Sequence, residues 1–331
     1  MGKKGAPIIL VIIMALGAVM SCNNDDMPQV VNTVTQDSTI VQHLQTVGND
    51  SATRNDNGIY SYPITLNPGG LNAAGQIVSI HYTAQVLGGQ IIDIFDENDG
   101  DTLIMRQGVN AIYPVGLDFG LGLMSEGETW GFIIPSSLAY DTLEFSSLLP
   151  ANSIIEFTVE VLEVRLEEEI NAAEVLEINQ YIEEAYLDSL DLIPLDSVER
   201  VGTSNSVIYK RLAGGTPGAR PTTGQLISIA YEARVMDDSV VFDNFVPGNP
   251  FEYPFNSNVV IPGLDIGIAE MEFNERALII IPSFLGYRES AVVVPDYLTD
   301  EVIAGRIVPD YVEDVGPYRI LAFEVTLLNP N

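Results

Sequence analysis

The sequence predicts an α+β chain: two copies of one strand-rich domain with an amphipathic helix between them. Three observations carry that prediction. The phrase YPVGLDFGLGLM, Tyr113 to Met124, returns as VIPGLDIGIAEM, Val260 to Met271. The copies stand about 150 residues apart, too far for a solenoid repeat and right for a small domain. A whole set of alternating segments recurs around that phrase in the same order. The stretch between the two sets has helical rather than strand periodicity.

The N-terminus reads as an export signal. MGKKGA is basic, and PIILVIIMALGAVM is an apolar core too short for a comfortable membrane span. Ser21 and then Cys22, the only cysteine of the chain, follow it as in a bacterial lipobox. Residues 1–21 are expected to be the signal peptide, with a lipid on the Cys22 thiol and a polar tether over 22–37. An ordinary secretory signal with an unpaired cysteine is the alternative. A single cysteine rules out a disulfide within the chain.

The first domain is expected over 38–166. TIVQHLQTV suits a short helix. GIYSYPITL alternates as a strand, and GQIVSIHYTAQVL is a stronger one, rich in β-branched residues. Gly88 and Gly89 turn it into a hairpin with QIIDIF. DTLIM, TWGFIIP and NSIIEFTVEVLEVRL supply the remaining strands. A helical linker is expected over 167–200. There Val175, Ile178, Ile182 and Ala185 form one apolar stripe, glutamates take the other faces, and Pro194 ends the helix. Its INQYI resembles the IVQHL before the first strand set, so the helix leads into the second copy.

The second domain, 201–331, replays the first: NSVIYKRL, GQLISIAYEARVM, SVVFDNF, ALIIIPSFLGY and ILAFEVTLL. It departs once. Between Tyr287 and the last strand it carries a long insertion, about 288–317, with VVVPDYL and RIVPDYV inside it. Loops of that length are functional or disordered, and these β-branched runs do not suit disorder. The insertion is expected to cover the pocket or bind a partner.

Composition excludes several functions. With 14 Lys+Arg against 46 Asp+Glu the formal net charge is −32. No nucleic-acid partner is expected, because phosphate binding needs clustered cations. The two histidines, His43 and His81, lie near no nucleophile motif, and His81 sits on a strand facing solvent or a strand neighbour. No His/Cys metal spacing and no phosphate-cradling glycine loop occur. DENDGD, Asp96 to Asp101, has the composition of a calcium loop but not its pattern, and reads as a tight acidic turn. No metal and no cofactor is expected.

An apolar, aromatic constellation remains. VSIHYTAQVLGGQIIDIF, then YPVGLDFGLGLMSEGETWGFIIPSSLAY, then SIIEFTVEVLEV together resemble the FKBP-type peptidyl-prolyl isomerase domain. That family carries V-x-Y-x-G-x-L, D-G-x-x-F-D-S, V-I-x-G-W-x-x-G-L-x-x-M-x-x-G and I-P-x-x-x-A-Y-G in this order. The resemblance covers nearly all of 58–165 and, with one expansion, 206–328. It implies two FKBP-like domains, each a curled antiparallel sheet around one short helix, LDFGLGL in the first and LDIGIAEM in the second.

It also implies a pocket in each copy. In the second, Tyr231, Phe242, Asp243, Phe251, Val260, Ile261, Tyr287 and Phe323 match pocket positions, and Leu264 replaces the family's floor tryptophan. In the first, Tyr82, Asp93, Ile112 or its neighbour Tyr113, Tyr140, Leu149 and Phe157 match. Ile92 and Leu103 stand there in place of phenylalanines, and Leu117 in place of the tryptophan. Trp130 falls on a strand instead. Without the resemblance, all of these would read as ordinary core.

The task of such a pocket needs no nucleophile. Rotation about an X–Pro amide has a barrier of ~18–20 kcal/mol because twisting breaks resonance. The twisted amide is less polar, so a dry pocket around the proline ring favours it over the planar one. The resemblance implies an envelope-anchored isomerase acting on proline-containing polypeptide clients. It would be held to the lipid bilayer of the bacterial outer membrane, on the periplasmic or the surface face. A non-catalytic polypeptide-binding module, or a subunit of a surface complex, is the rival reading.

Overall fold

The structure, a computed structural model, describes residues 29–99, 102–188, 198–305 and 315–329. The expected signal peptide, Cys22 and the start of the expected tether lie outside the described residues. The rest falls into two compact units. Of the described residues, one takes those up to Glu167 together with those from Glu289 to Pro317; the other takes those from Glu168 to Arg288 together with Tyr318 onward. Both are α+β, each with a seven-stranded antiparallel sheet.

In the first unit, α1 (Gln29–Val47) leads into β1 (Thr53–Arg54), β2 (Tyr60–Thr65), β3 (Ile77–Val86), β4 (Ile91–Phe95), β5 (Leu103–Arg106) and β6 (Ile112–Tyr113). Then come α2 (Val115–Leu121), β7 (Thr129–Ile134) and β8 (Ile155–Arg165). The sheet order is β1-β2-β7-β8-β3-β4, with β5 pairing the other end of β3. In the second unit, α3 (Glu167–Asp188) precedes β9 (Val198–Val201), β10 (Val207–Ala213), β11 (Leu226–Val235), β12 (Val241–Phe245) and β13 (Phe251–Pro254). Helix α4 (Pro262–Ile268) and β14 (Arg276–Ile281) follow, and β16 (Leu321–Leu327) closes the sheet in the order β12-β11-β16-β14-β10-β9. The insertion supplies β15 (Val292–Val293) and α5 (Thr299–Gly305). Two X–Pro peptide bonds, Tyr113–Pro114 and Val294–Pro295, are cis.

The tether expectation needs correcting at its end, because α1 begins at Gln29. Ile40 and Leu44 are buried against Tyr60, Ile133 and Ile154, which gives the helix one packed edge. Gln36 continues that edge: its amide nitrogen donates to Ser136 Oγ at 2.9 Å, and Ser136 N–H donates to its Oε1 at 2.9 Å. Helix α3 does the same in the second unit. Its buried stripe is Ile170, Glu174 and Ile178. Not all glutamates face outward, then: Glu174 takes the place of Gln36 and accepts the N–H of Ser283 at 2.8 Å. The span around Pro194 lies outside the described residues.

The repeated phrase is the short helix and its lead-in. Glycines four apart let it lie directly on a strand. A Cβ on Gly116 would come within 2.4 Å of Ile134, and one on Gly263 within 2.2 Å of Ile281. The repeated aspartate has a structural duty as well. Asp118, buried, accepts the N–H groups of Gly108 at 2.7 Å and Asn110 at 3.1 Å. Asp265 accepts the Tyr253 hydroxyl at 2.9 Å and a backbone N–H of Asn256. Burial pushes both carboxyls above their usual range, and these donors pull the other way.

Candidate functional site: two aromatic pockets

Strand register aligns the two copies residue by residue. Tyr82 faces Phe95 across β3–β4, and Tyr231 faces Phe245 across β11–β12. Ile80 faces Leu103 where Ile229 faces Phe251. Ala84 faces Phe157 where Ala233 faces Phe323. These residues therefore share one face of each sheet, around Ala84 in the first copy and Ala233 in the second.

Simple alternation would send Phe242 and Asp243 to opposite faces. A bulge resolves this. The β11–β12 register passes from Ala233↔Asp243 to Arg234↔Val241 and leaves Phe242 as the extra residue. Phe242 then meets Phe323 edge-on at 6.3 Å and Tyr287 at 6.4 Å. The first copy has the same bulge at Ile92.

In the second copy Tyr231 packs on Phe323 at 5.6 Å and on Phe245 at 5.5 Å, and donates its hydroxyl to Asp243 at 2.5 Å. Burial first, and then the Asp243 carboxylate, raises the Tyr231 phenol far above its ordinary value, so it stays protonated. Phe251 meets Phe245 in a tilted contact at 5.3 Å and stacks on Tyr253 at 5.4 Å. Leu264, Val260 and Ile261 are buried. Phe242, Phe251 and Tyr287 are only half-buried. The sequence reasoning missed Phe245, Tyr253 and Asp265. Period-two alternation was the available signal, since Phe245 is two residues from Asp243 and Tyr253 two from Phe251.

The first copy brings its residues together in a different state. Tyr82 donates to Asp93 and contacts Phe157 at 6.1 Å and Phe95 at 6.0 Å. Ile92, Leu117, Leu149 and Phe157 are buried, and Leu103 packs against them. Ile112 and Tyr113 are both buried on β6, and it is Tyr113 whose ring meets Tyr140 at 5.8 Å. Burial raises the Tyr113 phenol to about 12. Counting back from the helix glycines, Pro114 holds the N-cap place next to α2 that Ile261 holds next to α4. Proline has no N–H, so the first lead-in lacks a backbone donor there. Trp130 lies on β7, stacked on Phe132 and donating to Glu128 at 3.0 Å, away from the floor.

The insertion goes where the sequence did not say. Val293, Val294, Leu298 and Val302 are buried in the core of the first unit, among Tyr82, Leu117 and Phe157. It does not form part of the second unit whose strands flank it. Each copy closes its connection alike: Asn152 N–H donates to Asp141 O at 2.7 Å, and Tyr318 N–H to Arg288 O at 2.7 Å. Between those anchors the first copy makes a short loop and the second sends out the insertion.

Asp96 accepts Asn98 N–H at 2.8 Å within a turn, as a tight acidic turn requires. Residues 100 and 101 of that stretch lie outside the described residues. No group of three metal-ligating side chains occurs among the described residues, and none of their helices is long and apolar enough to cross a membrane.

A family model described as FKBP-type peptidyl-prolyl cis-trans isomerase matches residues 71–162 and 218–328. Peptidyl-prolyl cis-trans isomerase FKBP10 of Homo sapiens is 26% identical over 220 residues, covering 66% of this chain and 31% of that protein. A probable FKBP-type isomerase, FkpA of Neisseria meningitidis, is 29% identical over 126 residues, 38% of each chain. The chain thus spans about a third of the length of these curated relatives. Among solved structures, the three FKBP domains of wheat FKBP73 align over 83% of this chain and 95% of that one, at 16% identity and a TM-score of 0.32.

Proposed function

Because the chain belongs to the FKBP-type peptidyl-prolyl cis-trans isomerase family, we propose that it is an envelope-anchored isomerase that helps exported proteins fold, with turnover in the second copy. One observation carries the choice of copy: Phe242, Phe251 and Tyr287 remain half-buried, so part of this apolar wall is left exposed for a proline ring to cover. Phe242 and Phe251 flank the ring, and Leu264 is the floor. Val260 and Ile261 line the lead-in, where the Ile261 N–H would meet a substrate carbonyl. Tyr231 and Asp243 hold each other rather than the substrate. The displaced carbonyl of the twisted amide meets the Tyr287 hydroxyl.

The test is turnover of X–Pro peptides by the full chain. Phe251→Ala is expected to lower kcat/KM by about tenfold or more, equal to ~1.4 kcal/mol of lost transition-state grip. Unchanged turnover in a folded variant would overturn the assignment. A polypeptide-binding module with little turnover is the second reading, favoured by leucine at the floor in both copies. It predicts client binding without measurable isomerisation. The anchor belongs to the same proposal: Cys22 carries the lipid, and Cys22→Ser is expected to release the chain from the membrane or leave its precursor uncleaved.

A further inference from the structure

The first copy's pocket holds a stretch of this same chain. Residues 292–293 pair in parallel with Ile112 and Tyr113. Val292 N–H donates to Ala111 O at 2.9 Å and Val294 N–H to Tyr113 O at 2.8 Å. The carbonyl of Val294, which forms the amide bond to Pro295, accepts the Tyr140 hydroxyl. Pro295 itself is buried. Beyond it, Tyr297 lies on Phe145 at 5.2 Å and donates its hydroxyl to Ile92 O at 2.9 Å.

This is recognition of a peptide rather than plain core filling. Main-chain pairing, a hydroxyl on the carbonyl that precedes proline, and an aromatic anchor three positions on from Val294 are what a receptor uses for an extended segment. The first copy has its full sheet and floor helix without these residues. The segment arrives from the connection that in the first copy is only a short loop, and Asp296, between proline and tyrosine, stays in solvent.

We infer that the first pocket is a receptor site for a proline-bearing β-strand segment of the type Val-Val-Pro-x-Tyr-Leu, and that residues 292–298 are its resident ligand. The claim rests on the pocket assignment made above and not on turnover. A tethered ligand competes at an effective concentration of about millimolar, so outside peptides are kept from this pocket.

The experiment uses the full chain and a fluorescent peptide copying residues 291–299. Replacing 291–303 by a Gly/Ser linker of equal length is expected to raise peptide affinity on the order of tenfold or more over the wild type. Tyr140→Phe in the replaced chain is expected to lower it again, and a peptide with alanine for Pro295 to bind more weakly. A replaced chain that keeps the first unit's melting transition yet binds no better than the wild type overturns the inference. So does equal binding of the alanine peptide. If the replaced chain loses that transition, return of the transition on adding the peptide supports a separable ligand. Failure to return makes the segment an inseparable part of the fold and overturns it. None of these readouts depends on isomerase activity, so an inactive second copy would leave the inference standing.

Discussion

Glu174 stands where the first copy has Gln36, and that one difference gives the second unit a pH dependence at this position that the first lacks there. Its carboxyl is raised above its usual range, first by burial, with the Ser283 N–H bond opposing. A carboxyl raised in the folded state favours folding fully below its unfolded value and loses that contribution as pH rises through the folded value. Glu174→Gln keeps an acceptor for Ser283 and removes the charge. It is expected to raise the melting temperature of the second unit at pH 7 by about 4–8 °C for each kcal/mol recovered, and to change little at pH 4; melting curves at the two pH values decide it. Tyr231→Phe is expected to cost about 1–3 kcal/mol, because the Asp243 carboxylate loses its phenol donor. Denaturant unfolding of the variant reads that loss. At this scale the sequence was informative where a motif named a side chain, as for Tyr231 and Phe251. It was silent where a role depends on a neighbour's backbone, as for Asp118 and Glu174.

The floor helices show how short elements are fixed from outside. Each is a seven-residue helix, α2 or α4, too short to be stable alone. Glycines let each one press onto a strand. Gly263→Ala is expected to push α4 off Ile281 and destabilise the second unit by about 1–3 kcal/mol, read as a lower midpoint in denaturant. The lead helix α1 was only half legible. NTVTQDS reads as polar tether because its residues compete for backbone hydrogen bonds. In the helix, Ser38 and Thr39 bond back to the carbonyls of Val34 and Thr35 at 3.0 Å, and burial of Ile40 and Leu44 decides the conformation. The strands were legible because alternation marks them directly. The bulge at Phe242 was not, since it interrupts the alternation that would reveal it.

For the molecule as a whole, duplication was plain in the sequence because strand order and phrase repeat together. The destination of the insertion was not. Its β-branched runs marked it as a segment that packs, but no local pattern names a partner nearly two hundred residues away. A chain cut short after residue 166 therefore lacks Val293, Val294, Leu298 and Val302 from its core. Each buried aliphatic of this size is worth roughly 1.5–3 kcal/mol, so the truncated first domain is expected to melt well below the same domain in the full chain. Calorimetry of the two proteins checks this. The insertion also reverses an order in time. Domains generally complete themselves as they leave the ribosome, N-terminal first. Here the domain made first waits for strand β15 and helix α5, made almost last. Its apolar pocket stays uncovered until that segment has been made, and pairing over such sequence distance is slow. All of the second domain except its last strand, β16, has to be translated before the first can be finished.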